Sequence, residues 1–380
     1  MKIALINNLY GKYRRGGAEA IVATLEKSLK NQGHEVIIIS TRPSLTCFAT
    51  TRHMGNEYYL PSFYYHLNHV PTLLRVLWHI YKFIDPFTLY RLKKIIKKEK
   101  VEMVLSHNMM GFNWWSSWII RLLNIKQAHY LHDIQLLHPS GRLLWSKESK
   151  LESPLAKTYQ ALQRLMTQPI KYIISPSEWL LQLHRDKGFF RLTKTLPIFN
   201  PIDHPSQVKV TRQKIFTFLY LGQIDEAKGV DLLIRAFLEI KKLNNCQLII
   251  AGNGNSLKKL QQKYQNESVN FLGKVASSQI PQLMKSSHCL VLPSLIYENL
   301  PTSLLLAVNY QLPTIASNLG GSKEISKQFG GRLFSPGNID DLVSQMKKSL
   351  QNPSQTKTKG LDSLWSENYL KKIFDFLHSS

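Results

Sequence analysis

FTFLYLGQIDEAKGVDLLIRAF, residues 216–237, decides the architecture. Its first six residues carry no charge and read as a buried strand. A turn punctuated by Gly222 and Gly229 follows, and then apolar residues recur at helical spacing. Strand, glycine-bearing turn and amphipathic helix make one step of a parallel sheet covered by helices. Working outward, the same alternation predicts strands at 247–251, 269–272, 289–292 and 313–316. Helices are predicted at 229–242, 255–265, 279–287, 301–311 and 339–350. Short apolar runs alternating with longer helical patterns are the signature of a doubly wound α/β domain.

The first half obeys the same logic, with strands expected at 2–7, 36–40, 101–106, 127–131 and 171–175. Between the first two lies GGAEAIVATLEKSLKNQGHE, which puts Ile21, Val22, Leu25 and Leu29 on one helical face. Gly33 stands where a left-handed C-cap is expected. Between the halves, residues 196–214 carry Pro197, Pro201 and Pro205 among mixed polar residues, a linker composition. The reading is a first Rossmann-like domain over 1–200, a second over 201–355 and a C-terminal segment over 356–380. Two such domains facing each other would open a cleft at the carboxyl ends of both sheets.

Composition narrows the partners. The chain has 380 residues, 43% of them hydrophobic, enough for two cores and inconsistent with general disorder. Lys and Arg number 49 against 25 Asp and Glu, a formal net charge of +24. The excess is concentrated early: 28 basic and 12 acidic side chains over 1–200, against 21 and 13 over 201–380. Such a balance points toward phosphates, on nucleic acid, anionic lipid or a phosphorylated substrate. Cys47, Cys246 and Cys289 are too far apart to suggest a disulfide framework or a zinc site. No apolar run is long enough to span a bilayer, and the first residues read directly as a strand. A cytoplasmic location is expected.

Two stretches carry side chains suited to chemistry. Lys228 stands at the turn between strand and helix, where an ammonium and a helix N-terminus together suit a phosphate. A solvated loop lysine fits the same segment. In PSLIYENLPTSLLLAVNYQLPTIASNLGGSKEI, residues 293–325, Glu298 precedes a helix that Pro301 opens. Thr302 and Ser303 at that N-terminus suit a diphosphate, with Glu298 beside it to accept from sugar hydroxyls. A glutamate that only complements the helix dipole is the alternative.

The order and spacing of these pieces resemble a known family. GxIxxxKGxxxLIxAF, then AGNG (251–254), FLGKV (271–275) and PSxxYENLPxxxLxA followed by LPTIASNLGG resemble a retaining family-4 glycosyltransferase of the GT-B fold. The resemblance covers most of 215–325. It extends more loosely to RRGGAEAIVATLEKSLKNQGHEV (14–36), SHN (106–108) and HYLHDIQLLHP (129–139). It implies that Gly16 and Gly17 admit the donor phosphates to the backbone and that His132 contacts the transferred sugar. Lys228, in the turn that holds Gly222 and Gln223, would neutralise the diphosphate leaving group. Glu298 would hold donor-sugar hydroxyls, the backbone of Asn299, Leu300, Pro301, Thr302 and Ser303 would cap the diphosphate, and Gly273, Lys274 and Val275 would face the base. The resemblance further implies a nucleotide-sugar substrate, no cofactor and no essential metal, and a C-terminal helix near Trp365–Leu377 that crosses back to the first domain. Two departures stand out. Gln223 occupies a position usually basic, and Leu306 replaces a second glutamate that holds ribose, with Gln311 where a glycine usually follows the helix.

On the acceptor side, residues 69–100 mix Leu73, Leu74, Leu77, Trp78, Tyr81 and Phe83 with Arg75 and Lys82 and then a basic run from Arg91 to Lys100. This reads either as an interfacial amphipathic element for an anionic membrane or as a core-packed helix with a solvated lysine face. Trp114, Trp115 and Trp118 suit an acceptor groove or the core. Arg14 and Arg15 suit phosphate or solvent, and His107 and Asn108 suit the cleft wall or the framework. With no helix-turn-helix, zinc finger or RNP-type pattern, nucleic acid is not an expected partner. The expected function is transfer of a sugar from a nucleotide sugar to a hydroxyl of a lipid-linked saccharide, in surface polysaccharide or glycolipid synthesis, peripherally at the inner membrane face. The alternative is a degenerate, non-catalytic protein of the same fold that assists another glycosyltransferase.

Overall fold

The computed structural model describes residues 1–379 apart from 14–16, 47, 72–73, 76–77, 79–80, 84, 208–213, 243 and 265–267, with backbone alone at 68–69. Gly16, Arg14, Arg15, Leu73, Leu77 and Cys47 thus lie outside the described residues. The chain divides into two compact units. One comprises Met1–Gly141, Lys150–Pro201 and Ser366–Ser380; the other comprises Arg142–Ser149 and Ile202–Trp365.

The first unit is built on β1 (Lys2–Ile6), β2 (Glu35–Pro43), β3 (Arg52–Met54), β4 (Glu57–Ser62), β5 (Met103–Ser106), β6 (Lys126–Tyr130), β7 (Tyr172–Ser175) and β8 (Lys194–Pro197). Its helices are α1 (Gly17–Asn31), α2 (Pro86–Lys98), α3 (Ser116–Leu122), α4 (Pro154–Thr167), α5 (Glu178–Asp186) and the C-terminal Ser366–His378. The strands order as β3-β4-β2-β1-β5-β6-β7-β8, parallel throughout except for the β3–β4 hairpin. Ile3, Leu5, Ile38, Val104, Ala128 and Ile173 are fully buried because strands covered on both faces have no solvent side. In α1 the predicted face of Ile21, Val22, Leu25 and Leu29 is the buried one, and Gly33 ends the helix at φ 80°. The chain winds one way from β1 to β2 and β4, then the other way from β5 to β7. The loops after β1 and β5 therefore diverge at a switch point.

The second unit holds β9 (Phe216–Leu221), β10 (Cys246–Ala251), β11 (Val269–Gly273), β12 (Cys289–Leu292), β13 (Thr314–Ser317) and β14 (Arg332–Phe334). With them go α6 (Val230–Lys241), α7 (Leu257–Lys263), α8 (Ile280–Ser286), α9 (Thr302–Asn309), α10 (Gly320–Phe329) and α11 (Ile339–Gln351); the Ser366–His378 helix is α12. Order β11-β10-β9-β12-β13-β14, all parallel, puts its switch point between β9 and β12.

Two segments depart from a cut at residue 200. Residues 142–149, read from sequence as part of the first domain, belong to the second unit. Leu144 bridges Ile296 in antiparallel fashion, the Trp145 amide donates to Leu295 O at 2.9 Å and the Tyr297 amide to Leu143 O at 2.9 Å. Residues 366–380 belong to the first unit, where Tyr369, Leu370, Ile373 and Leu377 of α12 are buried and Lys126 donates to Leu377 O at 3.0 Å.

Two residues of the basic-aromatic stretch over 69–100 follow the core-packed reading and not the interfacial one. Lys82 is no surface cation: it is buried and 2.6 Å from buried Asp85, which caps α2 by accepting from the amides of Phe87 and Thr88. Trp78 is likewise buried. Among the described residues no helix is long and apolar enough to cross a membrane.

Candidate active site

In the second unit the site grows from the loops after β9 and β12, which the switch point makes neighbours. Leu221 leads into a turn tied to the loop after β10: the Gly222 amide donates to Ala251 O at 3.1 Å and the Ile224 amide to Asn253 O at 2.9 Å. The Tyr220 hydroxyl donates to the Gln223 carbonyl, holding the turn from below, while the Gln223 side chain is exposed. A single helical turn, Glu226–Lys228, then delivers Lys228, and Gly229 starts α6 in the left-handed region at φ 70°. A Cβ at Gly229 would lie 2.0 Å from the carbonyl oxygen of Pro293, so only glycine lets the two loops close up.

The loop after β12 is held on both sides. The Leu295 amide donates to Ala227 O at 2.9 Å, and the 143–145 ladder pins 295–297 from outside. Glu298 follows directly. Its Oε1 lies 2.6 Å from Lys228 Nζ and accepts from Ser294 Oγ at 2.9 Å. The Gly321 amide donates to its carbonyl at 2.7 Å. Pro301, predicted as the first helical residue, is the N-cap, and α9 begins at Thr302 with no side chain capping it. Uncapped first-turn amides suit an anion. Thr302 is exposed, Asn299 and Ser303 are partly exposed, and Leu300 is buried. Gly273 turns at φ 66° after β11, leaving Lys274 exposed and Val275 partly exposed.

In the first unit, Gly17 opens α1 and is exposed. The loops after β1 and β5 interlock: the Asn8 amide donates to Asn108 O at 2.8 Å and the Asn108 amide to Asn7 Oδ1 at 3.1 Å. His132, two residues beyond β6, has its Nε2 2.8 Å from Nδ1 of fully buried His107. Burial pushes His132 down to about 4 and His107 well below the usual histidine range, so both rings are neutral at pH 7. Asp133 next to it is pushed up to about 7 by burial, although the Gln135 amide favours its charged form from 2.7 Å. Trp114 is buried, whereas Trp115 and Trp118 are partly exposed.

Lys228 and Glu298, chosen from sequence, are thus in direct contact. Ser294, Gly321 and the bridge through 143–145 are supports that sequence reasoning missed. The glycine pair in LPTIASNLGG was a visible signal for Gly321. Nothing in the sequence signals the ladder, because it joins residues about 150 positions apart, as the Tyr297 hydroxyl's bond to Glu148 Oε1 at 2.8 Å also does.

Two doubly wound sheets of mainly parallel strands, each covered by helices, are the architecture of the GT-B class. Residues 15–204 match the model of Glycosyltransferase Family 4 and residues 202–361 that of Glycosyl transferases group 1, and the chain belongs to this glycosyltransferase family. A protein of the Klebsiella pneumoniae cps region, described only as an uncharacterized 42.6 kDa protein, is 24% identical over 98% of this chain and 99% of its own. The Escherichia coli UDP-Gal:alpha-D-GlcNAc-diphosphoundecaprenol alpha-1,3-galactosyltransferase is 24% identical over 73% of each chain. Among solved structures, the lipopolysaccharide outer core galactosyltransferase WaaB superposes with TM-score 0.70 at 17% identity, over 99% of both chains. Anabaena Alr3699/HepE in complex with UDP gives 0.67 at 16% identity, over 99% of this chain and 96% of that one. These likenesses establish the GT-B fold.

Proposed function

We propose that this chain moves a sugar, with retention of configuration, from a nucleotide sugar to a hydroxyl of a lipid-linked saccharide during surface-polysaccharide synthesis. The observation that carries the reading is the Lys228–Glu298 pair at 2.6 Å beside the uncapped start of α9. Lys228 meets the negative charge that grows on the departing diphosphate, and the first-turn amides of α9 share that load. Glu298 orients the sugar hydroxyls, His132 contacts the sugar, and the leaving phosphate takes the acceptor proton. Rate enhancement then comes from positioning and electrostatics, with no metal required. The name of the Escherichia coli relative supports a saccharide acceptor on a lipid diphosphate, and the Anabaena complex makes a UDP-sugar the first donor to try.

We further place the protein at an anionic membrane face. Phe48 and Tyr90 are 73% and 66% exposed, and Phe48 packs edge-on against Phe87 of α2. The exposed Lys93, Lys94 and Lys97 lie on the same helix.

Thermal stability against UDP, GDP, ADP and CMP tests the donor reading. A nucleotide at 100 times its Kd stabilises by about 2.7 kcal/mol. A shift with one nucleotide is expected; no shift with any of them defeats the donor assignment and favours an accessory protein.

A further inference from the structure

We propose that the first unit carries a binding site for an anionic phospholipid, in which Arg164 and Arg191 hold the phosphate while Leu192 and the leucines on the open side of α4 take the acyl chains. The site uses none of the α2 side chains invoked above and no part of the transfer site, so it stands or falls separately from both.

α4 is turned the wrong way for a helix that faces water. Its buried side holds Gln160, Gln163 and Thr167, with Gln160 donating to Leu137 O at 3.2 Å and to Leu151 O at 3.0 Å. Its open side shows Leu155, Leu162 and Leu165, which are 85%, 42% and 49% exposed and recur at helical spacing. The neighbouring α3 extends this surface. Its Leu122 is 78% exposed, and its partly exposed Trp118 donates the indole N–H to Leu165 O at 3.2 Å. Scattered exposed leucines are ordinary, whereas a run of them over two packed helices marks a surface that meets an apolar partner.

Where α4 ends, a cavity of about 370 Å³ opens against the loop 188–193. Buried Phe189 and Phe190 line it, as does fully exposed Leu192. Left-handed backbone at Gly188 (φ 80°) and Phe190 (φ 58°) turns this loop. A Cβ on Gly188 would lie 3.7 Å from Arg191 Nη2 and 3.9 Å from Arg164 Nε, so the two guanidiniums converge on one point. Arg164 is fixed there, with Nη1 donating to Lys187 O at 2.9 Å and the guanidinium 5.7 Å over the Phe189 ring. Glu152 is engaged by Lys157 and Lys187.

Two permanent cations brought together repel, and an anion between them turns that cost into a gain. Phosphate suits guanidinium pairs because it accepts several charge-assisted hydrogen bonds at once. The surroundings favour negative charge as well: α2, α3 and α4 pack in succession and contain no Asp or Glu. A water-soluble anion would satisfy the arginines and leave the leucines in water. A neutral lipid would do the reverse. A phospholipid of net negative charge answers both, and that fixes the occupant.

The experiment is co-sedimentation of the full-length chain with phosphatidylcholine vesicles containing phosphatidylglycerol, beside vesicles of phosphatidylcholine alone. Arg191→Gln and Leu192→Ser change exposed side chains, and both variants should melt like the native chain. Each should weaken binding to the phosphatidylglycerol vesicles about fivefold. The same loss should appear in a chain that already carries Lys93→Ala, Lys94→Ala and Lys97→Ala, where any contribution of α2 has been removed. Native-level binding by both variants overturns the proposal and leaves the face to a protein partner. Soluble short-chain phosphatidylglycerol and glycerol phosphate separate a lipid from a free anion. The short-chain lipid should raise the Tm of the native chain and not that of Arg191→Gln, with glycerol phosphate at the same concentration giving no rise. Equal rises from the two would overturn the lipid assignment.

Discussion

The ammonium of Lys228 lies 2.6 Å from Oε1 of Glu298, 70 residues further along the chain, and both side chains are less than one-fifth exposed. Strand order β10-β9-β12-β13 creates this meeting by setting the loops after β9 and β12 side by side. Each charge satisfies the other. In the proposed mechanism a bound diphosphate would give Lys228 a second anion and would let Glu298 turn toward sugar hydroxyls.

Lys228→Ala and Glu298→Ala should each lower kcat/KM for transfer at least about tenfold, or ~1.4 kcal/mol of barrier. Both variants should still melt cooperatively, because the pair is not in the core. Initial rates beside thermal melts provide the check, and native-level transfer by either variant rejects the assignment.

Gln311 ends α9 at φ 55°, with its amide on Val308 O at 2.9 Å and that of Leu312 on Ala307 O at 2.8 Å. This is a Schellman closure with glutamine in the place glycine fits best. Left-handed backbone costs a side-chain-bearing residue about 1–2 kcal/mol. The looser unfolded chain of a glycine variant takes back about 0.4–1. Gln311→Gly should therefore gain roughly 0.5–1 kcal/mol, a rise of one to a few degrees in the second unit's Tm. An unchanged or lower Tm would contradict the strain argument.

Buried histidines make the first unit acid-labile. Burial holds His129 at about 3, His132 and His184 at about 4, and His107 lower than its ordinary range. Unfolded, each binds a proton near pH 6.5. Below that pH the unfolded chain holds more protons than the native one, so stability falls as pH drops toward 4. Each ring contributes a slope of up to about 1.4 kcal/mol per pH unit. Asp133 acts in the opposite sense: raised to about 7, it favours the native state as pH falls below 7. Four rings outweigh one carboxyl, and the net change is a loss. Denaturant melts at pH 7.5, 6.5 and 5.5 should show midpoints dropping steeply at the acid end. A flat profile would mean that the rings are not neutral in the fold.

Membrane attachment should depend on charge. Co-sedimentation with vesicles containing anionic lipid should exceed that with neutral vesicles and decline as salt rises. Lys93→Ala, Lys94→Ala and Lys97→Ala should each weaken it, by on the order of 1 kcal/mol. Equal binding to neutral vesicles at high salt would remove the electrostatic account.

Much of the fold was legible because parallel strands buried on both faces write themselves as uninterrupted apolar runs. β9 and β12 match the reading residue for residue, and β1, β2, β5 to β7, β10, β11 and β13 match within a few positions. Strands without that signal were missed. EYYLPS of β4 contains proline and a charged residue, while KTLP of β8 and RLF of β14 are too short to show a period. The lysine stretch stayed open between two readings at Lys82 because a buried ion pair with Asp85 looks, in one dimension, like a cation beside an aromatic segment.

By itself the sequence determined the α/β class, the two sheets, the family and the candidates Lys228, Glu298 and His132, all of which depend on local period and spacing. Only the tertiary structure decided what these residues touch. Strand order in the sheet paired Lys228 with Glu298. A distant bridge at Leu143–Trp145 braced the loop before Glu298. The neighbouring ends of β5 and β6 set His132 against buried His107. Contacts of this kind arise from where strands lie in a sheet, and strand order is a property of the packed core that no neighbouring residue records.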